Sequence, residues 1–70
     1  MNSREMFNCI MLAKNVVYFV EKAYAERDID LFRQNIKEAL FYLRHLEEKL
    51  EKIINMPEEE LLGSGGKIEK

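Results

Sequence analysis

Seventy residues allow one small domain, whose core supplies only about 3–5 kcal/mol unless a disulfide, a metal or a second subunit reinforces it. A single cysteine excludes an internal disulfide, and one cysteine with one histidine cannot furnish a structural zinc site, so self-association is the remaining route. Hydrophobic residues at 47% beside charged residues at 34% describe an ordered globular chain, and the net charge of −2 excludes a general attraction to nucleic acid or to an anionic membrane.

The charge is also evenly spread. Residues 1–27 carry four basic and three acidic side chains, residues 28–55 five and six, and residues 56–70 two and four. No segment is the basic footprint that phosphate binding requires.

The first element is predicted over about residues 4–26, with Ser3 as a candidate N-cap and Glu5 near the positive end of the helix dipole. Neither glycine nor proline interrupts it. Met6, Ile10, Ala13, Val17, Val20 and Tyr24 alternate in steps of four and three, the spacing of a coiled-coil seam. A second row, Cys9, Leu12, Val16, Phe19 and Ala23, runs beside it. Together they cover about 180° of the helix, whereas an ordinary surface helix needs an apolar stripe of a little over 100°. A thinner third row holds Phe7, Met11 and Tyr18, between polar strips of Asn8, Asn15 and Lys22 and of Lys14 and Glu21.

Such an excess of apolar surface has to be covered. Burial in a bilayer is not expected, because the Met6–Val20 stretch is shorter than the ~20 apolar residues of a span and contains Lys14. Arg4, the apolar stretch and Ala23-Tyr24-Ala25 imitate a secretory signal, but Glu5 spoils its basic start and Lys14 its middle. A cytoplasmic protein with a reduced thiol is expected.

Residues 26–30, Glu-Arg-Asp-Ile-Asp, read as a turn in which Asp28 caps the second helix and Asp30 falls in its first turn. A connection this short makes antiparallel neighbours. Helix 2 is predicted over about residues 29–55, its seam formed by Phe32, Ile36, Ala39, Leu43, Leu46, Leu50 and Ile53, widened by Leu40 and Ile54 to about 140°. Its back is charged, and Pro57 stops it, since the residue before proline avoids helical geometry. Residues 1–56 thus read as a helical hairpin and 57–70 as a tail, first acidic and then a glycine-rich flexible run.

Side chains capable of chemistry are sparse. His45 sits on the polar back of helix 2 with no convergent second group, and Cys9 sits among Met6, Phe7, Ile10, Leu12 and Ala13, the setting of an inert buried thiol. No catalytic, cofactor-binding or metal-binding constellation is expected. Glu47 is the one charge within the apolar arc of helix 2, and an ion pair to Lys14 or Lys22 of another chain would set register there. Phe41 points about 190° away from the helix 2 seam, amid Lys37, Tyr42, Arg44 and His45, and aromatic side chains beside arginine are typical of interaction hot spots.

The expected fold is therefore all-α: an antiparallel two-helix hairpin that dimerises into a four-helix bundle. The expected dimer interface is Met6, Cys9, Ile10, Leu12, Ala13, Val16, Val17, Phe19, Val20 and Tyr24. The expected function is that of a small non-enzymatic regulator or adaptor, with no cofactor, that binds itself and a protein partner through Phe41, Tyr42, Arg44, His45 and Lys37. The alternative is a nucleic-acid-binding regulator that uses basic residues of helix 2 from two subunits, distinguished by a steep loss of affinity with salt.

Overall fold

The computed structural model describes residues 3–57 and contains two α-helices, α1 (Ser3–Ala25) and α2 (Ile29–Ile54), with no strand among the described residues. The acidic and glycine-rich segment from residue 58 onward lies outside the described residues.

Local chemistry explains each boundary. In α1 the unbroken run of helix-compatible residues carries Glu5 in the first turn and Lys22 in the last, both signs matched to the helix dipole. In the connection, the Glu26 amide donates to the Ala23 carbonyl (3.1 Å), and the Asp28 amide donates to Glu26 Oε2 (3.1 Å). Asp28 then caps α2 from extended backbone (φ −80°, ψ 122°): its Oδ1 accepts from the amides of Asp30 (2.8 Å) and Leu31 (3.1 Å). Two of the amides that every helix start leaves unpaired are thereby satisfied. At the far end the Met56 amide donates to the Ile53 carbonyl (3.2 Å), a tightened last turn, and Pro57 follows with no amide hydrogen to offer.

The short connection turns α2 back along α1. Two cross-helix contacts record the antiparallel register. Lys49 Nζ lies 3.8 Å from Glu5 Oε1 at one end, and the rings of Phe19 and Tyr42 stack at 5.8 Å nearer the turn.

The hairpin measures 50 × 19 × 11 Å, so it is one helix deep. Its radius of gyration, 15.9 Å, compares with about 10–11 Å for a compact domain of this length. A single layer cannot enclose a core, because helices need a second layer against which to bury their apolar stripes. The burial pattern follows. Among the described residues only Cys9, Ala23, Ala39 and Asn35 are buried, and no large side chain is fully enclosed.

Candidate partner-binding faces

Burial identifies the row by which each helix meets the other. On α1 it is Cys9, Leu12, Val16, Phe19 and Ala23; on α2 it is Asn35, Ala39, Tyr42, Leu46, Lys49 and Ile53, all buried or half-buried. The α2 row keeps the expected four-three spacing, yet its phase differs from the seam anticipated at Phe32, Ile36, Ala39, Leu43, Leu46, Leu50 and Ile53. Asn35, Tyr42 and Lys49 take places in the contact, while Phe32, Leu43 and Leu50 stay 38%, 45% and 41% exposed. The most buried apolar side chains of the contact are the small ones, Cys9, Ala23 and Ala39, with Leu46 and Ile53 half-buried beside them.

One residue further along each helix, about 100° around it, lies a second row. On α1 this row is Ile10, Ala13, Val17, Val20 and Tyr24; on α2 it is Ile36, Leu40, Leu43, Glu47, Leu50 and Ile54. Both rows turn toward the same side of the hairpin. Reversing the direction of the second helix also reverses its sense of rotation as seen from one end, so equal steps from the shared contact converge. The result is one broad apolar face in which Glu47 is the single charge. It is open: Ile10, Val17, Val20, Leu40 and Leu43 are each about half exposed, and Tyr24 is 92% exposed.

Of the ten side chains expected at a dimer interface, Cys9, Leu12, Val16 and Phe19 therefore line the contact within the chain. Ile10, Ala13, Val17, Val20 and Tyr24 line the open face, and half-buried Met6 lies in line with that second row at the start of α1. Phe32, Ile36, Leu40, Leu43, Leu50 and Ile54 of α2 join them there; in the sequence these read as seam, and nothing in one helix alone says which chain a seam will face.

One residue back from the contact rows is the opposite face, with Asn8, Met11, Asn15, Tyr18 and Lys22 on α1 and Gln34, Glu38, Phe41, His45, Glu48 and Lys52 on α2. Here the aromatic side chains form a continuous chain across both helices. Tyr18 meets Phe19 edge-on at 5.0 Å, Phe19 stacks on Tyr42, Tyr42 meets Phe41 edge-on at 5.2 Å, and Phe41 lies 4.6 Å from the His45 ring. The Lys22 ammonium sits 5.4 Å from the Tyr18 ring centre and 5.7 Å from that of Phe19, within the reach of cation–π attraction.

The structure thus brings Phe41, Tyr42 and His45 together and adds Tyr18, Phe19 and Lys22 from α1. Lys37 and Arg44 stand exposed on the outer edge of α2, one turn either side of Phe41. The α1 members escaped the sequence reading because ring contacts between helices depend on phase; Tyr18 in the thin third row was the only trace. His45 is oriented by its own helix. Its Nδ1 lies 3.0 Å from the Phe41 carbonyl oxygen, which can only accept, so Nδ1 carries the hydrogen and Nε2 is the other nitrogen.

Among the described residues no three histidine, cysteine or acidic side chains are placed to hold a metal ion, and no helix is long and apolar enough to cross a membrane. The grooves at the surface are open ones, such as the one on α1 lined by Ile10, Ala13, Lys14, Val17, Tyr18 and Glu21. Comparison with known proteins finds no matching family model, no matching curated protein and no matching solved structure.

Proposed function

We propose that the chain is a small non-enzymatic interaction protein of the cytoplasm, a regulator or adaptor. In this reading two hairpins close their open apolar faces on each other as a four-helix bundle, and the outer aromatic faces engage a protein partner. The observation that carries the reading is the one-layer hairpin in which Ile10, Val17, Val20, Leu40, Leu43 and Leu50 stand about half exposed on one side.

Magnitudes favour a second copy as the cover. A face of 50 by 19 Å has a footprint of about 950 Å², close to the ~800 Å² per partner of a stable interface. Apolar burial is worth about 25 cal/mol per Å², and domains of this kind retain only a few kcal/mol in total. Leaving the face wet would forgo a share of stability that the hairpin's thin inner contact does not replace. The outer face offers the features of a recognition surface: half-exposed Phe41 and Tyr18 joined through Tyr42 and Phe19, with cations at Lys22, Lys37 and Arg44.

Sedimentation equilibrium at micromolar concentration tests the core of the proposal. The expected mass is twice the 8.3 kDa of the chain. A folded, fully helical monomer at that concentration would overturn it.

A further inference from the structure

Resting on the dimer just proposed, a finer property can be argued: how the two copies are oriented. The candidate occupant of the open face is a second hairpin, and a twofold axis can bring two such faces together in two limiting ways. With the axis perpendicular to the helices, α1 packs on α1 and α2 on α2. With the axis parallel to the helices, α1 of each copy packs on α2 of the other. We infer that the axis is parallel, and that Lys14 of each copy pairs with Glu47 of the partner subunit on the two flanks of the bundle.

Three observations converge. The first is bulk. The α1 row of the open face is thin at its centre, with Ala13, Val17 and Val20, while the α2 row is thick, with Leu40, Leu43 and Leu50. Packing thin on thick fills the space between layers evenly. Packing thick on thick and thin on thin opens a wedge, which close-packed interiors do not tolerate.

The second is level. A rotation about an axis parallel to the helices leaves every residue at its own height. Register across the interface is then the register already present within the hairpin, with nothing free to slide. The Glu5–Lys49 and Phe19–Tyr42 contacts bracket the register and set Lys14 level with the α2 stretch from Leu40 to Glu47. Lys14 lies about 80° beyond the centre of the α1 open row and Glu47 about 25° beyond that of α2, both toward the outer edge of their helix. In the parallel arrangement those two edges adjoin. The same bracket sets Glu21 level with the α2 stretch from Arg33 to Leu40, which holds Lys37, a second candidate of opposite sign.

The third is vacancy. Within one chain Lys14 and Glu47 lie on opposite outer edges, both are exposed, and neither has an ion-pair partner among the described residues. Lys22, the other cation that a buried-face carboxylate could recruit, is held over Tyr18 and Phe19 on the opposite face. An axis perpendicular to the helices and centred on the hairpin would instead set Lys14 against Lys14 and Arg44 against Arg44, like charges across the seam. The open groove whose rim holds both Lys14 and Glu21, with Ala13 among its lining, is the receptive surface for an α2 side chain of the second copy.

A charge-swap experiment reads the orientation directly. In the parallel arrangement Lys14→Glu places two carboxylates together on each flank, and Glu47→Lys places two ammonium groups together. Each variant alone should dimerise about tenfold more weakly at low salt, since two flanking pairs are affected and each exposed pair is worth up to about 1 kcal/mol. The dissociation constants of each variant and of the unaltered chain are compared by sedimentation equilibrium; an axis perpendicular to the helices, which exchanges like charges for like, would leave those of the single variants unchanged. The double variant Lys14→Glu/Glu47→Lys should return to the affinity of the unaltered chain. Single variants that dimerise as tightly as the unaltered chain, or additive losses in the double variant, would overturn the parallel axis while leaving the dimer standing. Failure of the unaltered chain to dimerise at all would overturn the dimer and the orientation together.

Discussion

The two sides of α2's apolar arc differ in a way that sets the character of the whole molecule. The row that meets α1 is Asn35, Ala39, Tyr42, Leu46, Lys49 and Ile53, in which two large aliphatic side chains alternate with small, polar and amphipathic ones, whereas the row beside it is Ile36, Leu40, Leu43, Leu50 and Ile54 with one interruption at Glu47. The inner contact is thus the leaner of the two, and its buried members are Cys9, Ala23 and Ala39 with Asn35. The open face is richer in large aliphatic side chains, and nothing among the described residues covers it. A hairpin that buries its small residues and displays its large ones is organised as half of something, because apolar stabilisation scales with area and most of that area faces outward.

The largest effect that would break this comparison is a charge placed on the open face. In an isolated hairpin Val17 is 54% exposed and a carboxylate there would reach water, so Val17→Asp would behave as a surface change within about ±0.5 kcal/mol. If the face is covered, the same substitution buries an unpaired charge at a cost of several kcal/mol. The expected outcome is loss of the dimer and of cooperative melting at micromolar concentration, followed by circular dichroism. A melt like that of the unaltered chain would show the face to be wet. Phe19→Asp is expected to unfold the chain as well, through the inner contact, where the Phe19 ring stacks on Tyr42.

A smaller effect sharpens the role of the inner contact. Ala39 is 6% exposed, in the row by which α2 meets α1. Ala39→Leu should overfill that contact and cost about 1–3 kcal/mol, lowering the melting temperature by several degrees per kcal/mol while the chain remains helical. A neutral or stabilising result would mean that the inner row has room to spare.

The smallest expected change in stability is on the aromatic side. Phe41 is half exposed but holds ring contacts with Tyr42 and His45, so Phe41→Ala should cost about 1 kcal/mol, the scale of such ring pairs, rather than the 3–5 kcal/mol of a core phenylalanine. Helicity and dimerisation should persist. If the outer face is the recognition surface, capture of the protein partner should weaken about thirtyfold or more, the loss typical of a hot spot. A core-sized loss of stability would place Phe41 inside an assembly instead, and the two faces would exchange roles.

Much of this architecture follows from local sequence. Unbroken 3.6-residue periodicity, the Asp28 cap and Pro57 define two helices, and a three-residue connection permits only a hairpin. The excess of apolar surface on α1 is equally a property of its residues. What only the tertiary structure decided is phase. Two rows on α1, about 100° apart, have the same four-three spacing, and periodicity cannot rank them, because either would serve as a seam. The row that faces α2 is the one that holds Cys9 and Ala23, the most buried side chains of α1. That rotation carried Ile10, Val17 and Val20 to the open face, and it set Phe41 and Tyr18 on the same opposite side, linked through the stacked rings of Phe19 and Tyr42. Spacing along one helix encodes a stripe. Which stripe meets which depends on steric fit between two helices, and that fit exists only once both are in place.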